Sequence, residues 1–219
     1  MSNINFKPWV GKNYLTKGYQ GKRILVLGES HYCEGELSEG GRCYPMCKVE
    51  LMNEACYKQT RDVVREAVYD YGGQRYLQAF LCFERAVAGK VLTQEEREEF
   101  WESVMFYNYI QYAQEGPRMA PQPEHWAKSE KLFVELLETY KPDCIIVWGA
   151  RLYDRLPDLD GEMHRLTLDN GDTVDYRTYS INGKGIPALK IHHPSASTGR
   201  DWKRWHKVID KFFVTLQLF

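Results

Sequence analysis

Three short clusters of polar residues carry the groups that could do chemistry. The first is Gly28-Glu29-Ser30-His31-Tyr32, the second centres on Asn108, and the third is His193-Pro194-Ser195. Glu29 and His31 are adjacent titratable groups, and an imidazole suits proton transfer near neutral pH. Asn108 offers an amide, which can donate and accept at once. Each cluster goes with a short apolar run: Arg23 to Leu27, Val104 to Ile110 with Asn108 as its polar output, and Ile186 to Ile191. Short apolar runs ended by Gly or polar residues read as buried strands of a parallel sheet. In open α/β sheets, ligands bind beyond the carboxyl ends of such strands. Three strand ends, each followed by groups that can bind or polarise, define a pocket at one sheet edge.

The elements that must position these clusters are legible from spacing. A further strand, 143–148, is closed by Gly149 much as Gly28 closes the first. Helices are expected over 60–71, 76–88, 93–103, 124–140 and 201–218, with a short one at 151–155. Thr93-Gln-Glu-Glu96 is a capping box, a Thr cap with an acid three residues on. Over 124–140 the apolar positions Trp126, Leu132, Phe133, Leu136 and Leu137 make one helix face. The runs 163–168 and 173–181 flank Asp169-Asn170-Gly171-Asp172, and an Asn-Gly between alternating runs signals a hairpin. Residues 33–57 carry several glycines and no period, which reads as a long loop. The order predicts one domain over 1–219, a three-layer α/β/α sandwich. Its central sheet is expected to be short and mostly parallel, with about four strands.

Composition excludes several function classes. The chain has 219 residues and a formal net charge of −1, so no global basic footprint marks it for nucleic acid. Any such contact must come from a local patch. No apolar run is long enough to span a bilayer, and 1–21 holds no stretch of signal-peptide length. A soluble, cytoplasmic, monomeric protein with reduced cysteines is expected, without membrane partners.

Taken in order, the clusters resemble the uracil-DNA glycosylase superfamily. That family carries a Gly-[Gln/Glu]-x-Pro-type motif after its first strand, an Asn after a later strand, and His-Pro-Ser after the last. Gly28-Glu29-Ser30-His31-Tyr32, Asn108 and His193-Pro194-Ser195 stand in the same order here, and Val147-Trp148-Gly149 looks like the family's third strand end. The anchors are few, but they span 24–195. The resemblance implies a base held in the strand-end pocket, with DNA or a free nucleobase or nucleotide as partner. His193 would donate a hydrogen bond to the base carbonyl that gains charge as the N-glycosidic bond breaks. Asn108 would read the edge of the flipped-out base. Tyr32 would wall the pocket, Ser195 would hold phosphate, and Gly28 would let the backbone approach the base.

Three departures from the family pattern stand out. Ser30 occupies the position where well-known members carry an Asp that orients water, so Glu29 or His31 would take up that water. His31 replaces the usual Pro. Ser195-Ala-Ser-Thr-Gly199 has no bulky apolar wedge, although Trp202 lies close. A catalytically inactive nucleic-acid or nucleotide-binding module of the same fold is the alternative.

Cys33, Cys43, Cys47 and Cys56 cluster in the long loop at spacings that match no standard zinc or iron–sulfur signature. Free thiols are expected, with no metal and no cofactor. Arg200, Lys203, Arg204, Lys207 and Lys211 interleave with Trp202, Trp205 and His206. This segment reads either as a phosphate-tracking helix with stacking aromatics or as a closing helix with a solvated basic face and buried Trp.

Overall fold

The computed structural model describes residues 4–32, 52–114 and 119–218. In chain order the elements are β1 (Trp9–Val10), β2 (Ile24–Gly28), α1 (Glu54–Tyr69), a 3-10 turn (Arg75–Leu77), α2 (Gln78–Ala88), α3 (Gln94–Trp101) and β3 (Met105–Asn108). Then follow α4 (Pro123–Tyr140), β4 (Cys144–Trp148), α5 (Ala150–Arg155), β5 (Glu162–Thr167), β6 (Thr173–Ile181), β7 (Lys184–Ile191) and α6 (Trp202–Thr215).

All seven strands share one sheet in the order β1-β3-β2-β4-β7-β6-β5. The four central strands, β3-β2-β4-β7, run parallel and are the four apolar runs read from the sequence. The expectation of about four mostly parallel strands is corrected at both edges. β1 adds antiparallel to β3, and the β5–β6 hairpin adds antiparallel to β7. The sheet is therefore mixed and seven-stranded. β1 is two residues long, too short to leave a periodic signal. The β6–β7 connection did leave one. Asn182 and Gly183 both have positive φ, 49° and 76°. That is the type I′ requirement, which folds β6 straight back onto β7.

Helix starts follow their caps. Thr93 and Glu96 form the reciprocal capping box. α1 begins at Glu54 rather than near 60, inside the stretch expected to be loop; residues 33–51 of that stretch lie outside the described residues. The Asn53 side chain accepts from the backbone N–H of Ala55 and Cys56, which satisfies donors a helix start leaves free. Cys56 is thus a free thiol on a helix. Cys33, Cys43 and Cys47 lie outside the described residues. Among the described residues no group of three or more His, Cys, Asp or Glu is arranged to hold a metal ion. No helix among them is long and apolar enough to cross a membrane.

Strand alternation divides the core in two. Ile24, Val26, Phe106, Ile146 and Leu189 face α1, α2, α3 and α6. Leu25, Leu27, Met105, Tyr107, Ile145 and Val147 face α4 and α5. Helices thus lie against both faces, and the parallel strands are buried on both sides, as their continuous apolar runs require. On the first face an aromatic slab of Phe80, Phe83, Trp101, Phe106 and Trp148 packs at ring-centroid distances of 5.2–6.5 Å. Phe80 touches three of the other rings. Phe80→Ala is expected to lower the unfolding free energy by roughly 3–5 kcal/mol in urea denaturation, the usual cost of removing a buried aromatic.

Candidate functional site

Strand register builds the site's base. Gly28 pairs with Asn108, Leu27 with Val147, and Trp148 with Ile191. One row at the carboxyl edge of the parallel strands therefore runs Asn108, Gly28, Trp148, Ile191. By alternation its side chains lie on the face of the aromatic slab. Gly28 is the gap in that row. A Cβ there would meet Asn108 Oδ1 at 2.2 Å and Phe106 Cζ at 3.0 Å. The Asn108 carboxamide reaches across β2 into the space a side chain would fill.

The other end of that amide points at His31. Asn108 Nδ2 lies 3.3 Å from His31 Nδ1 and 3.1 Å from Nε2. His31 Nε2 is also 2.8 Å from Thr60 Oγ1 on α1. The imidazole packs on Phe6 at 4.5 Å between ring centroids. His31 is 5 % exposed and Asn108 8 %. Burial pushes the His31 pKa down to about 3, because the charged ring would lose its hydration. His31 is a neutral, hydrogen-bonded part of the wall, with no face turned to bulk water from which to take a proton.

Glu29 is held differently. Arg151, in the first turn of α5, forks onto it: Nε donates to Oε2 at 2.7 Å, and Nη2 donates to Oε1. Arg151 Nη2 also lies 3.5 Å from the Met119 carbonyl. Main-chain bonds from Tyr109 and Ile110 to the Gly28 and Glu29 carbonyls, at 2.9 and 2.8 Å, continue the β2–β3 pairing past the strand ends. Ser30 is half-buried and Tyr32 exposed. Tyr32 bridges Gln114, and its carbonyl accepts from Gln59 Nε2 at 2.8 Å.

His193 sits over Trp148, ring edge to face, at 5.7 Å. Two glycines make room for its loop. Gly149 has φ +103° and places its Cα beside His193, where a Cβ would be 3.6 Å from that of His193. A Cβ on Gly199 would meet the His193 carbonyl oxygen at 1.9 Å, so the loop can close only with glycine there. Ser195 donates its backbone N–H to His193 Nδ1 at 3.2 Å, and its hydroxyl lies 2.8 Å from the same nitrogen. A backbone N–H can only donate, so Nδ1 is the acceptor and the ring proton is on Nε2. Among the described residues no acceptor meets Nε2. Burial, and then the charge of Arg151, push the His193 pKa down to about 4. The ring is neutral at physiological pH, with one N–H to offer. His192 turns away, onto Trp205 and the Thr198 hydroxyl.

The expected residues thus fall into connected groups. Gly28, His31 and Asn108 touch directly, and Ser195 touches His193. Trp148 joins the two groups through the strand row, and Arg151 ties Glu29 to α5. Trp148, Arg151 and Thr60 were not among the expected site residues. Trp148 could have been found by counting alternation from Val147, and it is 3 % exposed with an indole N–H that meets no partner among the described residues. Thr60 and Arg151 act across 29 and 122 residues of sequence, and no local pattern marks them. On α6, Trp205 and His206 are committed to packing, while Lys203, Arg204 and Lys207 on that helix, and Arg200 just before it, remain exposed. Lys211 is paired with Asp169.

Neither a family model nor a curated protein matches this chain.

The depressed histidines set a pH dependence. Both folded pKa values lie below the ordinary 6.5. Below that pH the unfolded chain takes up protons that the folded chain refuses, so stability falls as pH drops from about 6.5 towards about 4. Urea midpoints measured across that window are expected to decline. The decline should be shallower in His193→Gln.

Proposed function

We propose that this strand-end cluster binds a nucleobase and that the protein is a uracil-DNA glycosylase-like enzyme, hydrolysing the N-glycosidic bond of a base turned out of DNA. The observation that carries the reading is the neutral His193. Its tautomer is set by the Ser195 N–H, leaving Nε2–H without an acceptor among the described residues. When the bond to the base breaks, its electron pair flows onto the base and concentrates on a carbonyl oxygen. Water supplies hydroxide to the sugar carbon and a proton to the released base. A neutral N–H fixed in place before reaction stabilises that oxygen, as a preorganised donor does without reorganisation. An imidazolium would bind the ground state as well, and it would cost desolvation.

The residue roles follow from placement. Asn108 offers its amide oxygen over Gly28. The Ser195 hydroxyl and backbone hold His193, so its part is orientation as much as phosphate contact. Tyr32 stands at the rim. Glu29 is the titratable group left for water, since His31 is committed to Thr60 and Asn108. The exposed Arg200, Lys203, Arg204 and Lys207 form the local basic patch that a near-neutral chain needs to hold a phosphate backbone. In this reading the protein works as a cytoplasmic monomer on single- or double-stranded DNA.

One observation favours the inactive alternative. Both Glu29 oxygens are engaged by Arg151, and Ser30 replaces the family Asp, so the site could bind without turnover. A single assay separates the two. Oligonucleotides carrying uracil, hypoxanthine or xanthine are incubated with the protein, and abasic sites are then cut with alkali. Scission that falls at least about 100-fold in His193→Ala, the scale of losing one oxyanion donor, is the expected outcome. Scission unchanged in that variant removes the proposed mechanism. Salt-dependent binding without scission supports the inactive module.

A further inference from the structure

Ser195 is the residue that the resemblance gives to phosphate, and its hydrogen bonds are spent at His193. Its backbone N–H and its hydroxyl both lie against Nδ1, at 3.2 and 2.8 Å. Arg151, which the resemblance does not mark, is placed to take up that part. It stands two residues after Gly149, whose Cα lies beside His193, and it is tied to Glu29 of the first cluster. Its charge reaches both Tyr32 and His193. A guanidinium carries five N–H hydrogens in one plane. Nε uses its one on Glu29 Oε2. Nη2 uses one on Glu29 Oε1 and has the other near the Met119 carbonyl, 3.5 Å away. Among the described residues the two hydrogens of Nη1 meet no acceptor.

We propose that Arg151 is a phosphate-binding residue of this site, so that its ligand is a nucleotide, with phosphate beside the base, rather than a free nucleobase. This rests on the base-binding reading above and deepens it. The Glu29 carboxylate fills one edge of the guanidinium and fixes its plane. The edge formed by Nη1 and the outer side of Nη2 is left, and two phosphate oxygens fit it as two carboxylate oxygens fit the first. Nearly half of the side chain is exposed, so a ligand can reach it. A guanidinium already held has lost its rotamer freedom before binding, which lowers the cost of ordering it. Lys203, Arg204 and Lys207 on α6 have no such anchor, because no carboxylate among the described residues pairs with them. Glu29 and Arg151 together are neutral, so the attraction comes from directed donors rather than from net charge. A lysine could hold Glu29 as a point charge, but it could not fork two anions on two edges.

The test is calorimetric binding of 2′-deoxypseudouridine and of its 5′- and 3′-monophosphates. The base of these probes is joined through carbon, so they cannot be hydrolysed. The wild type should bind one monophosphate about tenfold or more tighter than the nucleoside, the worth of hydrogen bonds to a charged group. The double variant Glu29→Gln with Arg151→Gln removes both charges at once, so no carboxylate is left orphaned and the net charge is unchanged. Its ratio should fall within about threefold, which loss of bulk charge could not explain. Arg151→Lys keeps an ion pair with Glu29 and serves if the double variant does not fold; its ratio should drop at least about threefold. A wild-type ratio near one overturns the proposal, and so does a ratio that stands in these variants. A trinucleotide with the same nucleoside at its centre identifies the source of the phosphate. Binding at least as tight as the monophosphates means a nucleic-acid backbone, and weaker binding means a free nucleotide; Arg151 reads phosphate in both. Inorganic pyrophosphate separates the two layers of the argument. If it binds the wild type and not the double variant while no nucleoside or nucleotide binds, the anion site stands and the base-binding reading falls. If none of the probes binds, both fall.

Discussion

The missing side chain at Gly28 is the constraint on which the site depends. Four parallel strands end in one row, and three of its members fill their places with Asn108, Trp148 and Ile191. If the fourth carried even a methyl group, that carbon would stand 2.2 Å from Asn108 Oδ1. No real Cβ tolerates such a contact, so the amide would have to swing away and break from His31. The glycine is therefore needed for close approach rather than for an unusual backbone angle, because a strand end has no positive φ to accommodate. Its conformational cost is offset by the parallel ladders on both sides, which fix β2 at the centre of the sheet.

A second regularity is that the site is built from neutral rings. His31 and His193 both have pKa values held low, and in both cases the largest cause is loss of solvent. Lost hydration disfavours the charged ring and leaves the neutral one. For His193 the charge of Arg151 acts in the same direction, so burial and electrostatics agree. A neutral imidazole must divide its nitrogens into one donor and one acceptor. At His193 the Ser195 N–H makes that division, and at His31 Thr60 and Asn108 are the groups against the ring. The His193 ring thereby acquires a direction, pointing its hydrogen away from its own loop. The aromatic slab beneath holds the geometry: Phe80, Phe83 and Phe106 crowd Trp148, and His193 rests on Trp148. Close-packed cores deform little, so the ring above inherits their precision.

What the sequence made legible was whatever is written locally. The apolar runs at Ile24, Val104, Cys144 and Ile186 specify the parallel strands through β-branched content and abrupt polar ends. The Thr93 capping box and the Asn170-Gly171 turn specify their elements through single side chains. The two antiparallel additions were harder for different reasons. β1 is held by its pairing with Phe106 and Met105, a contact nearly 100 residues away, rather than by any propensity of Trp9-Val10. The β6–β7 turn was written just as plainly, in Asn182-Gly183, the same dipeptide as Asn170-Gly171. Asn53 likewise announced α1 from inside a stretch that otherwise reads as loop. In the site, Asn108, His193 and Gly28 are visible because strand ends are visible. Thr60 and Arg151 are not, since their meaning comes from α1 and α5 folding over strands that the local pattern does not connect to them. His31 is the instructive residue. Its type suggests a base, and only its surroundings, Phe6 on one side and Thr60 and Asn108 at its nitrogens, make it a structural wall.

The Glu29–Arg151 pair decides how far the chemistry can go. A bidentate guanidinium–carboxylate pair is the strong form of the interaction, with two parallel charge-assisted bonds. Glu29 is the better buried partner, its side chain 13 % exposed against 47 % for Arg151. Water screens the arginine end, so the pair is worth less than a fully buried one, in which breaking it would cost roughly 3–5 kcal/mol. Glu29 pays more than Arg151 for separation, because the carboxylate has little water to fall back on. Each oxygen of a carboxylate has two lone pairs, and Arg151 takes one on each. In the reading proposed above, water would meet Glu29 on the lone pairs that remain, beside a fixed guanidinium. The same ion pair pins the first strand end to α5, and its arginine helps keep His193 neutral, so the proposed water site and the proposed donor depend on one guanidinium.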